Sequence, residues 1–375
     1  MGVQPSLPSL IGRLRPTEPP GESNLTDSRA IRMVDVAARA GVSQTTASRV
    51  LSGFKNVSPG TRAAVTEAAE ALGYQVNLAA RSLASARSQS IGFVVAEPSA
   101  HLWGGTYFPR LLHGITEAAE DSRLQLAIFM RQPDQTGKRL RRYLTQGHVD
   151  GLLLITSTQN DPLLADLLDH GMAVVVGGRP IGTDDASFVD VDNYRGAAVA
   201  TNHLLEQGYA RPAHIAGPAQ TAAGEDRLRG YLHAMREAGL EPVYILAKDF
   251  SFQAGATGAI ALLEKHPTID ALFAAGDSLG LGAMTAVLAS GRRIPEDVGL
   301  IGFDDSEPAA AATPPMSSIF QSVEQLGKEM VRLLVSRIAD AEQPPLQMIL
   351  GTRLVARAST RGPASGNSSS SATAE

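Results

Sequence analysis

Gln44, Thr45 and Arg49 lie close together at the start of a short helical pattern that covers residues 44–51. A side-chain amide can bond bidentately to adenine and a guanidinium to guanine, so these groups on the first turns of a helix suit the reading of base edges in a DNA major groove. Small polar groups nearby suit phosphate oxygens, which position a protein on DNA without reading its sequence. The predicted DNA contacts of this segment are Ser43, Gln44, Thr45, Thr46, Arg49 and Asn56.

Three helical patterns must position these side chains. The first two, within residues 33–51, flank Gly41, where a tight turn between helices needs positive φ. Ser43 can cap the second helix, Ser58 followed by Pro59 can open the third, and Gly73 can end it. The pattern predicts a helix-turn-helix inside a small three-helix domain; the alternative is an Ala-rich bundle with a purely structural role.

A second DNA-contacting segment is suggested by residues 77–84, NLAARSLA, which are amphipathic but too short for a stable isolated helix. Paired with a symmetry mate over the minor groove, Leu83 could wedge between base steps and kink the duplex. Alternatively, the segment is an ordinary linker with a buried leucine. Its spacing does not distinguish the two.

Charge is distributed unevenly along the chain. The formal net charge is -5 over 375 residues, yet residues 28–90 carry eight basic and three acidic side chains, and the acidic excess lies in residues 91–375. A small basic region joined to a large acidic one indicates an anionic partner for the former only.

From residue 91 onward, apolar runs alternate with helical patterns. Such runs, separated by crossover helices, predict parallel sheets covered on both faces, with ligands bound at the carboxyl ends of the strands. Eight runs divide into two groups of four around residues 188–193, which predicts an α/β body of two doubly wound lobes with a cleft between them. The runs are residues 91–96, 124–130, 151–156, 173–178, 213–217, 243–247, 271–276 and 298–303.

Composition sets the boundaries of the folded part. Five prolines in residues 1–27 and the Ser/Gly-rich residues 362–375 predict disordered ends, around a helix-turn-helix domain (28–75), a hinge helix and linker (76–90) and a two-lobed body (91–361). The chain has no cysteine, no signal-peptide core and no apolar stretch of about 18 residues, so a cytoplasmic protein without a membrane segment is expected.

These motifs together resemble the LacI/GalR (lactose repressor) family. VDVAARAGVSQTTASRVLSG and VSPGTRAAVTEAAEALGYQVNLAARSLAS are similar to its head, and TYFPRLLHGI, VDNYRGA, RLRGY, FAAGDSLGLGAM and IPEDVGLIGFDD follow its body in order and spacing over about residues 31–361. The resemblance implies a homodimeric repressor that binds a palindromic operator, with a periplasmic-binding-protein-like effector domain. In the head and hinge it implies that Ala80 and Leu83 lie in the minor groove and that Tyr74 and Asn77 support the hinge and its backbone contacts.

In the cleft, the resemblance implies that Arg227 binds the effector, Asp277 accepts its hydroxyl hydrogen bonds and Phe250 stacks on it. Tyr107 and Phe108 match aromatic residues of the other lobe. Surface ion pairs and core packing are the alternative roles. As a hypothesis, Trp103, in an enlarged loop, also lines the cleft. In purine-binding members of the family, extra polar groups specific for the base are expected near Thr221 and Ala223. These positions are not basic here, so the resemblance favours a sugar over a purine.

Two positions depart from the family pattern. Arg32 stands where a capping Ser or Thr is usual, and Gly276 where Asn is usual.

Two other functions compete with that of a regulator. A nicotinamide-dependent enzyme is disfavoured because GLGAM (280–284) lies inside a predicted helix, and no catalytic residue, metal site or cofactor is expected. A periplasmic sugar-binding protein would share the body but would need a signal peptide and would not need the basic head.

Overall fold

A computed structural model describes residues 31–51, 54, 56–74, 87–95, 105–131, 138–155 and 162–361. The chain divides into two units, Met1–Leu78 and Ala79–Glu375. We call them the head and the body. Asn77, Ala80, Leu83 and Trp103, the predicted hinge helix and both predicted disordered ends lie outside the described residues.

The head contains three helices, α1 (Met33–Arg39), α2 (Gln44–Leu51) and α3 (Pro59–Leu72). Gly41 has φ +65° in the turn between α1 and α2, as predicted from the need for positive φ. The Ser58 hydroxyl accepts from the Thr61 amide, and Gly73 ends α3 with φ +64°. The helices bury a small aliphatic core of Val36, Ala37, Ala47, Val50, Val65, Ala68 and Ala69.

Arg32 precedes α1 without a side-chain capping bond. Instead, the Arg32 amide donates to Asp35 Oδ2 over 2.8 Å. The Asp35 carboxylate, three residues after Arg32, thus compensates for the missing Ser or Thr. A negative side chain at a helix N-terminus also interacts favourably with the helix dipole.

The body is an alternation of strands and helices. Its strands are β1 (Ser90–Val95), β2 (Gln125–Met130), β3 (Gly151–Ile155), β4 (Val174–Gly177), β5 (Ser187–Val191), β6 (Pro212–Ala216), β7 (Val243–Leu246), β8 (Ala271–Ala274), β9 (Gly299–Asp304), β10 (Ser317–Phe320), β11 (Gln347–Leu350) and β12 (Arg353–Val355). Its α-helices are α4 (Tyr107–Asp121), α5 (Lys138–Tyr143), α6 (Pro162–Asp169), α7 (Asn193–Glu206), α8 (Ala222–Glu237), α9 (Phe252–Lys265), α10 (Asp277–Ala289), α11 (Glu307–Ala310) and α12 (Val323–Ala339). A π-helical turn, Leu144–His148, follows α5.

The strands form two sheets, ordered β11-β5-β4-β3-β1-β2 and β12-β10-β9-β8-β6-β7. All neighbours are parallel except β10 and β12. The predicted two-lobed, doubly wound body is therefore present. The chain passes between the lobes after β5, after β10 and after β11.

The strand count was predicted wrongly: β5, β10, β11 and β12 were missed. β5 contains Asp190, and β10 contains Ser317 and Ser318, so neither is a continuous apolar run. Their polar side chains are buried because hydrogen bonds satisfy them, and tertiary context rather than hydrophobicity makes these segments strands.

Candidate functional site: a recognition helix and an inter-lobe cleft

The first candidate site is the exposed start of α2. Gln44, Thr45 and Arg49 are exposed there. The Ser43 hydroxyl accepts from the Thr46 amide at 3.1 Å and lies 2.8 Å from the Thr46 hydroxyl, which confirms Ser43 as the helix cap. The cap leaves the polar side chains of the first turn free to face a partner.

Asn56 and Tyr74 occupy different environments. Asn56 is exposed between α2 and α3, whereas Tyr74 is half-buried and packs against the core of the head. Direct DNA contacts by both stay predictions, as do the cleft and hinge roles of the predicted residues that fall outside the described part.

The second candidate site is centred on Arg227, which is 5% exposed on α8. Its Nε donates to Asn193 Oδ1 over 2.9 Å and its Nη1 donates to the Ala275 carbonyl. The guanidinium carbon lies 3.6 Å from the centroid of the Phe303 ring. Burial lowers the pKa of Arg227. These contacts fix the plane of the guanidinium.

Asn193 is itself oriented by a carboxylate. Asp190 Oδ1 accepts from Asn193 Nδ2 over 3.0 Å and from the Val191 amide, while Oδ2 accepts from the Arg179 amide. Burial raises the pKa of Asp190. Asp190 of β5 thus orients Asn193, the first residue of α7, and Asn193 in turn accepts from Arg227 on α8.

Asp304, at the carboxyl end of β9, is the carboxylate facing Arg227. Its Oδ1 lies 3.9 Å from Arg227 Nη1 and accepts from Gln321 Nε2. Burial raises its pKa, because the charged form loses hydration. Asp304 has φ +121° and Asp305 has φ +54°, a left-handed conformation that costs a non-glycine residue on the order of 1–3 kcal/mol.

Asp277 is the predicted acceptor of hydrogen bonds from the effector, and in the structure both of its carboxylate oxygens have protein partners. It is 1% exposed, its Oδ2 accepts from the Ser306 amide over 2.6 Å, and its Oδ1 accepts from the Ser318 hydroxyl over 2.7 Å. One oxygen is thus bonded to the turn that follows Asp304, and the other to Ser318 of β10. Asp277 therefore supports that turn, and its contact with an effector stays a prediction.

The two adjacent aromatic residues predicted for the cleft, Tyr107 and Phe108, lie in different environments. Tyr107, at the start of α4, is 36% exposed as a whole residue. Burial of its hydroxyl end, followed by the charges of Asp190 and Asp304, raises its pKa. Phe108 is 6% exposed and stacks on Phe93 with ring centroids 5.9 Å apart. Adjacent helical residues point about 100° apart, so the Phe108 side chain enters the core, and its contact with an effector stays a prediction.

Phe250 is half-buried, with its ring centroid 6.0 Å from the Arg227 guanidinium carbon. It therefore lies beside the Arg227–Asp304 pair. An aromatic face next to a carboxylate and a guanidinium is an arrangement that suits a polyol.

Arg110 brings the two lobes together at this site. Its Nε and Nη2 donate to the two oxygens of Glu324 over 2.7 and 3.0 Å, and its Nη1 donates to the Asp304 carbonyl over 3.3 Å. Arg110, Asn193, Asp304 and Gln321 were not among the predicted site residues. The position of Asp304 at a strand end was the one signal that pointed to it.

Family models match both units. The model described as bacterial regulatory proteins, lacI family, matches residues 32–77, and that of a periplasmic binding protein-like domain matches residues 201–360. The described residues contain no helix that could cross a membrane and no cluster of three acidic or histidine side chains placed to hold a metal ion.

Relatives match along nearly their whole length. The chain is 41% identical over 328 residues to the HTH-type transcriptional regulator CelR of Thermobifida fusca, covering 86% of this chain and 96% of that one. It is 33% identical over 339 residues to the ribose operon repressor of Halalkalibacterium halodurans, covering 88% and 96%.

Solved structures agree. A CelR–cellobiose complex matches with a TM-score of 0.69 at 39% identity, covering 88% of this chain and 99% of that one. A Lac repressor dimer bound to operator matches in fold, with a TM-score of 0.78 at 23% identity over 89% and 100% of the two chains. The chain therefore belongs to the lacI family of bacterial regulatory proteins.

Proposed function

We propose that this protein is a cytoplasmic transcriptional regulator, a repressor, that binds a palindromic operator as a homodimer and is controlled by an unphosphorylated sugar bound between its lobes. The full-length similarity to CelR, across head and body alike, carries this proposal. The proposed activity is binding and not catalysis, in keeping with relatives that are named as regulators.

The head supplies sequence reading in this proposal. Arg49 is exposed one turn beyond Gln44 and Thr45 on α2, and its guanidinium can bond to both acceptors of a guanine. The residues that cap or flank α2 would bond phosphates and fix its register.

Arg49→Ala is expected to weaken operator binding by about 1–3 kcal/mol and to relax the preference at one base position of each half-site. Gel-shift titrations against operators substituted at each position would measure both effects. Arg39→Ala, on α1, is the matched loss of one positive charge. An equal loss of affinity on every sequence, including non-specific DNA, would contradict base reading by Arg49.

Dimerisation has a physical basis in the body. The edge strands β2 and β7 expose large apolar side chains: Ile128 is 45% exposed, Met130 53%, Tyr244 45% and Leu246 50%. Exposed apolar edges favour association, and a second copy can cover both when the two chains are related by a two-fold axis. Two heads on one axis match the symmetry of a palindrome.

A neutral sugar suits the charges of the cleft. Arg110 is bonded to Glu324, and Arg227 lies beside Asp304, so each of these cations already faces a carboxylate. A phosphate or another anion would meet Asp304, whereas sugar hydroxyls can donate to the carboxylate and accept from the guanidinium. The cellobiose in the solved CelR complex is a neutral sugar of this class.

Calorimetry on the full chain tests the effector class. We expect binding of cellobiose or a related glucoside and no comparable binding of hypoxanthine, guanine or sugar phosphates. Light scattering on the same sample should give the mass of a dimer. Binding of a purine or a phosphate in preference to every sugar would contradict the proposal.

The junction between linker and body provides a route from the cleft to the head. Asp150, just before β3, accepts from the Ser88 amide at 2.6 Å, the Ser88 hydroxyl at 2.9 Å and the Gln89 amide at 2.8 Å. The Asp150 amide in turn donates to the Ser90 carbonyl over 2.7 Å. The Asp150 carboxylate therefore fixes the point where the chain enters the body. A movement of the lobe that contains β3 would then shift residues 88 and 89 of the linker with it.

Asp150→Asn is expected to reduce the effect of the sugar on operator affinity, because an amide cannot accept all three bonds. Coupling in such proteins corresponds to about 1–3 kcal/mol, or 5–150-fold in affinity, and we expect it to fall toward unity while the Kd for sugar stays near that of the wild type. Operator titrations with and without saturating sugar measure the ratio. Asp166→Asn, which breaks an exposed pair with Arg141, is the control. An unchanged ratio in the folded Asp150 variant would exclude this route.

A further inference from the structure

Arg179 is fixed to one lobe by its backbone and to the other by its side chain. We call the lobe of the sheet that contains β1 to β5 lobe 1, and the lobe of the other sheet lobe 2. Arg179 follows β4, and its amide donates to Asp190 Oδ2 of β5 over 2.8 Å, which anchors its main chain in lobe 1. Its guanidinium instead meets α8, which packs on β6 and belongs to lobe 2.

The guanidinium of Arg179 pairs with two carboxylates near the start of α8. Its Nε donates to Asp226 Oδ2 over 3.2 Å, and its Nη2 donates to Asp226 Oδ1 over 3.0 Å. Nη2 also lies 3.3 Å from Glu225 Oε2. We call this contact of Arg179 with Asp226 and Glu225 the latch.

Two other ion pairs beside the cleft, by contrast, each lie within one lobe. Arg110 pairs with Glu324, and the helices that carry them, α4 and α12, pack against each other in lobe 1. Arg227 and Asp304, on α8 and β9, both belong to lobe 2. Opening the lobes leaves these pairs intact, whereas it separates the charges of the latch.

The charges on the two sides of the latch are opposite. Asp226 also accepts from Arg229 Nη1 over 3.0 Å, so the lobe 2 side has two carboxylates and one guanidinium, a net negative charge that faces the positive Arg179. The Asp226 side chain is 14% exposed and that of Arg179 35%. Because the pair is partly shielded from water, its attraction exceeds that of a fully exposed pair, yet salt can still screen it.

The latch adjoins the candidate effector site. Asp226 is followed on α8 by Arg227, and Asp190, which anchors the Arg179 amide, orients Asn193. Asn193 in turn accepts from Arg227. The latch therefore holds the lobe 1 and lobe 2 sides of this network in one arrangement.

We propose that Arg179 is a positioning residue, which through the latch raises the population of closed lobes in the sugar-free protein and tightens sugar binding without touching the sugar. The apparent Kd rises as the fraction of molecules in the binding-competent arrangement falls. Because salt screens the latch, even a neutral sugar should bind more weakly as salt increases. This inference rests on the proposed sugar-binding cleft and deepens it to the control of lobe closure.

The first test is calorimetric titration of the full chain with cellobiose at about 0.05 M and about 0.5 M NaCl. At the lower concentration we expect binding about two- to fivefold weaker in Arg179→Gln than in the wild type, and no further loss when Asp226→Asn is added. Salt should weaken binding by the wild type but not by Arg179→Gln. The matched control is Arg141→Gln, whose guanidinium is also 35% exposed but pairs with Asp166 inside lobe 1, and it should behave like the wild type.

The second test needs no sugar and examines the lobes themselves. The chain has no cysteine, so Asp184→Cys and Lys248→Cys, at exposed positions after β4 and β7, provide one labelling site in each lobe. With labelled chains diluted in unlabelled protein, pulsed EPR should give longer distances between the spin labels in Arg179→Gln than in the wild type or in Arg141→Gln.

Equal distances in Arg179→Gln and the wild type would overturn the latch. A loss of sugar affinity that is the same at both salt concentrations would overturn it too, because a direct contact between Arg179 and the neutral sugar would behave in that way. A wild type that binds no sugar, in which Arg179→Gln still lengthens the distances, would support the latch and reject the proposed effector class.

Discussion

Asp304→Gly is expected to weaken sugar binding at least tenfold with little net change in stability, because relief of the backbone strain, about 1–3 kcal/mol, offsets the hydrogen bond that buried Gln321 loses. Asp304 has φ +121°, a conformation that glycine adopts without strain, so the substitution removes the carboxylate and relieves the backbone together. A hydrogen bond to a charged group contributes about 1.5–3 kcal/mol, so the loss of even one bond to the ligand should weaken binding at least tenfold. Calorimetry and thermal unfolding of the same sample give both results.

Asp277→Ala separates direct binding from positioning. It should weaken sugar binding too, but with a fall in Tm, because the Ser306 amide and the Ser318 hydroxyl lose their acceptor. A buried donor that is left without an acceptor costs about 1–3 kcal/mol.

Sugar binding of wild-type strength in Asp304→Gly would show that Asp304 is not the carboxylate of the site.

Acid is expected to destabilise the body through His214, which is fully buried on β6. Its Nδ1 must carry the proton, because it lies 2.8 Å from the Phe273 carbonyl, which can only accept. The ring stacks on Phe273 and Tyr231, with centroids 4.3 and 5.0 Å away, and Nε2 has no partner in the described part of the chain. Burial lowers the pKa of His214 to about 3.

The lowered pKa fixes the sign of the effect. The unfolded chain binds a proton at His214 below about pH 6.5 while the folded chain does not, so stability is greatest above that pH and falls as the pH drops toward 3. Between pH 7 and pH 4.5 we expect a loss of about 2–3 kcal/mol from this group. Burial lowers the pKa of His203 as well, which adds to the fall in the same direction.

Urea unfolding as a function of pH measures this loss. His214→Asn, whose side-chain nitrogen can donate to the Phe273 carbonyl, should flatten the slope between pH 7 and pH 4.5 whatever its effect on absolute stability. His113→Asn, at a histidine whose side chain is 72% exposed, is the control. A slope of wild-type steepness in His214→Asn would assign the acid sensitivity to other groups.

Local rules predicted the head well. Gly41, Ser58 and Gly73 each satisfy a requirement set by a few neighbours in sequence, namely a positive φ or a helix cap, and the structure shows each of them in that role. The alternation of apolar runs and helices predicted the two lobes for the same reason, since each buried strand carries its own hydrophobic signal.

The site was less predictable because it depends on contacts distant in sequence. Asp277 and Asp304 both lie at or just after the ends of apolar strands. Only their contacts in three dimensions show that Asp277 accepts from Ser306 and Ser318, whereas Asp304 faces Arg227. Tyr107 and Phe108 are adjacent in sequence, yet one borders the cleft and the other enters the core. In the same way, the bond from Arg110 to the Asp304 carbonyl joins two lobes, and no spacing along the chain reveals it.

The most direct test of effector-controlled DNA binding is the operator affinity of the full-length protein with and without a saturating disaccharide. An operator would first be selected from random duplexes by the dimer, and titrations at one fixed salt concentration would follow, since phosphate contacts make affinity depend strongly on salt. We predict a palindromic site whose affinity changes about 5–150-fold when cellobiose or a related glucoside is added. An operator affinity that stays the same when calorimetry shows the sugar to be bound would contradict effector-controlled DNA binding by this protein.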